Sequence, residues 1–105
     1  MLVRMAIFRG ELPPENTADF TAHLETRMLP LIRDFPQITS VDALLPRGSD
    51  PSLADVQLIL DMRYLDEDAM NAALASPQRA QNGEETKTLL ALMQNPTVEH
   101  IVLRR

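Results

Sequence analysis

Apolar and polar residues alternate along several short stretches of the chain. The clearest alternation runs from Val56 to Tyr64, where every second residue is apolar, as in a β-strand that buries one face. A first apolar run ends at Gly10, and a later run is stopped by Pro46, because glycine and proline punctuate strands. We predict four strands, over residues 1–9, 38–45, 56–64 and 97–103.

A helical spacing of apolar residues separates the first two predicted strands. This stripe consists of Phe20, Leu24, Met28, Leu31 and Phe35. Asn16 or Thr17 supplies a side chain that caps helices, and we predict a helix over 16–35. Pro30 lies inside it and has no N–H to bond toward Thr26, so a kink is expected there.

A second helical region follows the third strand and is predicted to be interrupted. Asp66 is a suitable N-cap, and the pair Ser76-Pro77 restarts the helix with a cap and a first-turn proline. The pair Asn82-Gly83 is typical of a turn and predicts a further break.

The resulting order, βαββαβ, is that of a ferredoxin-like fold. We therefore expect one α+β domain over residues 1–105, with a four-stranded antiparallel sheet and two helices on one face. The first, third and fourth strands carry apolar side chains on both faces. An open face with Phe8, Ala6, Ile59 and their neighbours would expose an apolar patch of several hundred Å², so we predict a homodimer that packs face to face.

Composition narrows the classes of partner. The chain has 105 residues and a formal net charge of -5, which disfavours nucleic acid and anionic membranes as partners. It contains no cysteine, in keeping with a reducing, cytoplasmic setting. Its apolar runs are too short for a membrane span or a signal peptide.

Several segments resemble the dimeric α/β-barrel superfamily and, within it, the small EthD-like proteins. These segments are residues 20–24 (FTAHL), 28–32 (MLPLI), 35–38 (FPQI), 64–70 (YLDEDAM) and 72–77 (AALASP). The resemblance implies a fold shared by isomerases, polyketide cyclases, cofactor-free monooxygenases and haem-binding proteins. In its length the chain also resembles members of the REDY-like subgroup, which is associated with prodiginine pathways.

One position departs from the EthD-like pattern. Those proteins often carry a histidine directly before the Leu-Pro-Leu step, whereas this chain has Met28 there. A thioether cannot donate or accept a catalytic proton. Any mechanism that depends on the family histidine therefore does not transfer to this chain.

His23 and Arg27 are the first candidates for catalysis. One helical turn separates them, and both border the apolar stripe. The imidazole suits a general base, and the guanidinium would stabilise an enolate or carboxylate at the rim of a pocket. The alternative is that both are solvated flank residues of an amphipathic helix.

Asp61 and Arg63 are a second candidate pair, on the strand face opposite the apolar one. With Arg4 and His100 they would form a polar cluster that binds an anionic ligand, or in which Asp61 sets the tautomer of His100. The alternative is that cross-strand ion pairs only fix register and dimer geometry.

Three further residues are candidates for substrate binding. Leu24 and Met28 would line an adaptable apolar cavity, and the hydroxyl of Tyr64 would donate to a substrate oxygen. Ordinary core packing explains Leu24 and Met28 equally well, and for Tyr64 an aromatic ring that caps the end of the core is the commoner role. We predict no metal and no nucleotide cofactor, because cysteines and glycine-rich phosphate loops are lacking.

Two functions remain open from the sequence. The first is a small-molecule enzyme of secondary metabolism or aromatic catabolism that acts on a hydrophobic metabolite as an isomerase, cyclase or cofactor-free monooxygenase. The second is a non-catalytic carrier that shields a pathway intermediate. A dimer with a collapsed cavity is a third, purely structural possibility.

Overall fold

The computed structural model describes residues 1–105 and contains four strands and four α-helices. The elements are β1 (Leu2–Glu11), α1 (Thr17–His23), α2 (Leu29–Arg33), β2 (Ile38–Leu44), β3 (Val56–Tyr64), α3 (Glu67–Leu74), α4 (Pro77–Leu90) and β4 (Gln94–Arg104). Short 3-10 turns occupy Pro14–Asn16 and Pro51–Leu53. The four predicted strands are confirmed, and β1 and β4 extend beyond the predicted ends.

The strands form one antiparallel sheet in the order β2-β3-β1-β4. The helices pack on one face of this sheet, which confirms the predicted ferredoxin-like fold. The two central strands, β3 and β1, carry most of the buried sheet residues, among them Phe8, Leu58 and Tyr64.

Register assigns each side chain to the helix-covered face or to the open face. Arg4 pairs with Met62 and Val102, and Ala6 pairs with Leu60 and His100. Since directly opposed residues share a face, all of these lie on the helix-covered side. The alternate residues of each strand lie on the open side.

The first helical region is irregular in its hydrogen bonds. A π-helical turn at Leu24–Met28 joins α1 to α2, and the N–H of Leu29 bonds to the carbonyl of Leu24. This wide turn lies just before Pro30, which cannot donate and whose ring crowds the preceding turn. It also moves the buried stripe by one residue, so that Ile32 is fully buried and Leu31 only partly. The structure thus has a π turn at Leu24–Met28, directly before the region where a kink was expected at Pro30.

Neither predicted cap of the first helical region is used. Asn16 makes no side-chain cap, and its Nδ2 instead donates to the carbonyl of Leu92 at 2.9 Å. Caps predicted later in the chain are present. Asp66 accepts from the N–H of Ala69, and Ser76 accepts from the N–H of Arg79.

The predicted break at Asn82-Gly83 is wrong, because α4 runs without interruption from Pro77 to Leu90. A glycine inside a helix costs only about 1 kcal/mol. The hydroxyl of Thr86 also bonds to the carbonyl of Asn82 at 2.9 Å. Continuity of α4 matters for the site, since it keeps one polar face of the helix turned toward the sheet.

The open face leaves apolar side chains of β4 exposed in the monomer. Ile101 and Leu103 are 45 % and 40 % exposed, and their register places them beside Met5 and Val3. Phe8 and Ala6 were expected on this surface, but both are buried beneath the helices. The reason is the alternation of side chains along β1. Ile59 pairs with Ile7 and shares its face, whereas the neighbours of Ile7, Ala6 and Phe8, point to the opposite face.

Candidate active site between the sheet and helix α4

A cavity of about 210 Å³ lies between the sheet and the helices α2 and α4. Its apolar lining is formed by Ala6, Phe8, Ile32, Phe35, Leu60, Met62 and Val98. The remaining lining residues are Arg4, Arg79, Asn82, Gly83, Thr86 and His100. The cavity therefore has an apolar floor with polar groups on two sides.

One polar side comes from a single face of α4. Arg79, Asn82, Gly83 and Thr86 follow one another at offsets of three, one and three residues, which brings them to the same side of a helix. Gly83 contributes space, because a side chain built there would meet no atom within 4 Å. The Asn82-Gly83 pair thus shapes the cavity instead of breaking the helix.

The other polar side comes from the two neighbouring strands β1 and β4. His100 stands opposite Ala6, and Val98 stands opposite Phe8. Arg4 lies two residues before Ala6 on the same face of the sheet. A small residue at position 6 leaves room between the imidazole and the guanidinium above the sheet.

The two arginines of the cavity are not neutralised by carboxylates. The four ion pairs of the structure are Arg9–Asp55, His23–Glu85, Arg63–Asp61 and Lys87–Glu84. Neither Arg4 nor Arg79 is among them, and no aspartate or glutamate lines the cavity. Burial lowers the pKa of Arg4, and the nearby charge of Arg79 lowers it further. The site is therefore a locally positive cavity in a protein of net negative charge.

This positive environment acts on His100. Although the residue as a whole is exposed, partial burial of the imidazole lowers its pKa, and Arg4 and Arg79 lower it further. A histidine with a lowered pKa is neutral at pH 7 and has a free nitrogen lone pair. His100 is thus equipped to accept a proton.

Two buried polar atoms near these charges have no hydrogen-bond partner: the hydroxyl of Tyr64 and Oδ1 of Asn82. Burial raises the pKa of Tyr64, while Arg4 and Arg79 act in the opposite direction. The phenol therefore stays protonated at neutral pH. Buried polar groups nearly always have a partner, and these two atoms have none within the protein.

His23 was predicted at the rim of a pocket, and the structure places it elsewhere. Its Nε2 donates to the carbonyl oxygen of Glu85 at 2.7 Å and lies 3.3 Å from the carboxylate of the same residue. The imidazole thus ties α1 to α4. His23 is not among the residues that line the cavity.

Other predicted residues of the first helical region are also outside the cavity. Arg27 is exposed to solvent, and Leu24 and Met28 are fully buried in the core. The buried side of this region is filled by core packing up to Met28. Only farther along the chain, at Ile32 and Phe35, does it border the cavity.

The predicted cluster of Arg4, Asp61, Arg63 and His100 does not exist. Asp61 pairs with Met5 and Arg63 pairs with Val3, so both acidic and basic partners lie on the open face. There, Nε of Arg63 donates to Asp61 at 3.3 Å. His100 and Arg4 lie on the covered face, and Asp61 is on the wrong side of the sheet to set the tautomer of His100.

Arg79, Asn82 and Thr86 line the cavity but were not predicted from the sequence. Their common spacing on one helix face was available as a signal, but the predicted break at Gly83 obscured it. Among the residues predicted for a site, the structure places Arg4 and His100 on the wall of the cavity, with Tyr64 close to Arg4 and Arg79.

The structure contains neither a cluster of metal-binding side chains nor a membrane-spanning helix. No group of three or more His, Cys, Asp or Glu side chains is arranged to hold a metal ion. No helix is both long enough and apolar enough to cross a membrane.

Known structures share the architecture just described. An EthD family protein from Bacillus halodurans superposes with a TM-score of 0.77 at 17% identity, over 100% of this chain and 99% of that chain. SnoaB, a cofactor-independent oxygenase from Streptomyces nogalater, superposes with a TM-score of 0.67 at 20% identity, over 99% and 91% of the two chains.

An antibiotic biosynthesis monooxygenase is also similar, with a TM-score of 0.66 and 13% identity, over 100% of this chain and 98% of that chain. No protein-family model and no curated protein sequence matches the chain. The expected resemblance to EthD-like proteins is thus confirmed in three dimensions. The chain has the ferredoxin-like fold of EthD family and antibiotic biosynthesis monooxygenase proteins.

Proposed function

We propose that this protein is a cofactor-independent enzyme that removes a proton from a small, largely apolar substrate in the cavity beneath α4. The observation that carries the proposal is the position of His100, a base of lowered pKa on the cavity wall beside two unpaired arginines. Similarity in fold to a cofactor-independent oxygenase and to an antibiotic biosynthesis monooxygenase supports an oxygenase within secondary metabolism.

The chemistry follows from the charges around the imidazole. Neutral His100 accepts a proton from a carbon next to a carbonyl group, and the electron pair remains on the substrate as an enolate. Arg4 and Arg79 stabilise the negative oxygen as it develops. In an oxygenase, dioxygen is the oxidant: the carbanion adds to it, and the resulting peroxide anion takes the proton back from His100 to give a hydroperoxide. A carbon that carries a second hydrogen then loses this hydrogen and the outer oxygen as water, which leaves a new carbonyl group.

The size of the cavity limits the substrate. An apolar cavity of about 150 Å³ holds benzene, and this cavity measures about 210 Å³. A molecule of one or two rings therefore fits the monomer. Phe8 and Phe35 supply aromatic contacts, and Met62 supplies an adaptable thioether.

The open face of the sheet supports a homodimer as part of this proposal. It presents Met5, Ile7, Ile59, Ile101 and Leu103 on one side of the sheet. A second copy packed on this face would remove the apolar side chains from water. The Asp61–Arg63 pair would then be buried in the interface, where it would restrict the register of the two sheets.

Proton abstraction is tested by hydrogen exchange with 2-indanone, a two-ring ketone with exchangeable protons beside its carbonyl group. The protein is incubated with the ketone in D₂O near neutral pH, and loss of the proton signal is followed by NMR. Wild-type protein is expected to accelerate exchange. His100→Gln is expected to lose at least about 100-fold, the usual contribution of a general base.

The matched control is His23→Gln, which changes the other histidine in the same way. Its exchange rate is expected to equal that of the wild type, since His23 bonds to Glu85 outside the cavity. If His23→Gln lost exchange activity and His100→Gln retained it, His23 and not His100 would be the general base. Binding of 2-indanone without any acceleration of exchange would instead favour a carrier.

A further inference from the structure

We infer that the substrate of this cavity is a ring-borne organic anion that carries a hydroxyl group beside its negative oxygen. The inference deepens the proposed function and rests on it, because it concerns the same cavity. It depends on three observations: two unpaired guanidinium groups, one buried acceptor without a donor, and an apolar floor.

The guanidinium groups define the first part of the ligand. Arg4 and Arg79 approach the cavity from the sheet and from α4, and each lowers the pKa of the His100 imidazole. Arg79 has one long hydrogen bond, of 3.5 Å to the carbonyl of Leu74, and no ion pair. In a chain with a net charge of -5, carboxylates are available, yet none faces these cations. An anionic oxygen of the ligand is the partner that both would accept.

The acceptor of Asn82 defines the second part. Its Oδ1 atom is buried and has no donor, although arginine donors line the same cavity. An anion held between the arginines would leave Oδ1 without a partner, because an anion has no proton to donate. A ligand that satisfies Oδ1 therefore carries a hydroxyl group as well.

The apolar residues define the third part. Phe8, Phe35 and Val98 line the cavity and have no hydrogen-bonding side chains to satisfy a compact inorganic anion. They fit the face and edge of a ring. Together the three parts describe an aromatic or cyclic acid, phenolate or enolate with a neighbouring hydroxyl group.

Isothermal titration with four small probes tests this class directly. The probes are 2-hydroxybenzoate, benzoate, methyl 2-hydroxybenzoate and inorganic phosphate. We expect 2-hydroxybenzoate to bind best. Benzoate, which lacks the hydroxyl, should bind about fivefold more weakly, and the neutral ester should bind at least about tenfold more weakly, since bonds to charged groups are the stronger ones.

Variants assign each preference to its residue. Arg79→Gln should weaken binding of 2-hydroxybenzoate at least about tenfold, whereas Arg33→Gln, an exposed helix arginine outside the cavity, should leave binding unchanged. Asn82→Leu should bring 2-hydroxybenzoate and benzoate to equal affinity. Circular dichroism and thermal melting of each variant establish that it is folded, and Arg4→Gln gives an independent test if Arg79→Gln is not.

Three results would overturn the inference: equal binding of the acid and its ester, undiminished binding in both Arg79→Gln and Arg4→Gln, or tighter binding of phosphate than of 2-hydroxybenzoate. The proposed function is judged separately by exchange of uncharged 2-indanone. If exchange depended on His100 but the protein showed no preference for anions, only the inference about the ligand would be refuted. If 2-hydroxybenzoate bound but no exchange were catalysed, only the catalytic role would be refuted.

Discussion

His23 and Glu85 join α1 to α4 through a hydrogen bond of 2.7 Å from Nε2 of the imidazole to the carbonyl oxygen. The carboxylate of Glu85 lies 3.3 Å from the same nitrogen. His23 therefore has a structural role in this contact, which lies outside the cavity that contains His100. The two histidines of the chain thus have different surroundings and, in our account, different tasks.

Removal of the His23 side chain should destabilise the fold. His23→Ala leaves the Glu85 carbonyl without its donor and is expected to cost about 1–2 kcal/mol in the free energy of unfolding. His23→Gln retains an amide donor and should lose less. Urea unfolding measures both, and equal stability of wild type and His23→Ala would show that the link contributes nothing.

Gly83→Ala should stabilise the protein. The position is inside α4, and an added Cβ meets no atom within 4 Å. Alanine in place of glycine inside a helix is expected to raise the free energy of unfolding by about 0.5–1 kcal/mol. For a domain of this size, each kcal/mol raises Tm by roughly 4–8 °C. A lower Tm would mean that the helix is strained or broken at this residue.

Gly10→Ala should act in the opposite direction. Gly10 has φ of +143°, and an added Cβ would lie 2.9 Å from the backbone oxygen of Gln94. The residue also occupies the shift in register between β1 and β4, where a bulge needs a backbone that only glycine adopts easily. We expect a loss of about 1–3 kcal/mol, measured by the same urea titration.

His100 should titrate below its ordinary pKa of about 6.5, because partial burial and then the charges of Arg4 and Arg79 disfavour its protonated form. The unfolded chain then binds more protons than the folded one in the window below about 6.5. The free energy of unfolding should therefore fall as pH decreases through that window, and fall less in His100→Gln.

NMR titration of the imidazole protons measures the same effect at the residue itself. Arg79→Gln removes one of the repelling charges and should move the pKa of His100 upward. His23→Gln identifies the signal by elimination, since the chain contains two histidines. A pKa of His100 at or above about 6.5 would contradict a cavity dominated by positive charge.

The proposed dimer predicts a sensitivity that is confined to the open face. Ile101→Glu introduces a charge among the apolar residues of that face and should shift the protein from dimer to monomer in sedimentation velocity. Leu65→Glu, at a residue that is 70% exposed in the loop after β3, should not. A wild-type monomer at micromolar concentration would refute the dimer outright.

Strand positions were predictable from the sequence because a half-buried strand alternates strictly. Val56–Tyr64 has the predicted bounds, and its apolar residues face the helices as expected. Which residues of neighbouring strands share a face was not predictable in this way. The shared face of Arg4 and His100, and the opposite face for Asp61, depend on cross-strand register, which involves a bulge and two separate pairings.

The candidate site was less visible in the sequence for a related reason. Arg79, Asn82 and Thr86 belong to a helix of mixed polar composition, and their side of the helix becomes distinct only when it packs over the sheet. Local signals at Asn82-Gly83 indicate a turn, whereas tertiary packing keeps the helix intact. Local preference is weaker here than the packing around it.

We propose that this protein binds its substrate in the cavity beneath α4. Chemical-shift mapping of ¹⁵N-labelled protein with 2-hydroxybenzoate locates the binding site residue by residue. We predict that shifts concentrate at Arg79, Asn82, Gly83, Thr86 and His100. Shifts concentrated instead at Ile7, Ile59 and Ile101 on the open face, or at His23 and Arg27 on the first helical region, would contradict it.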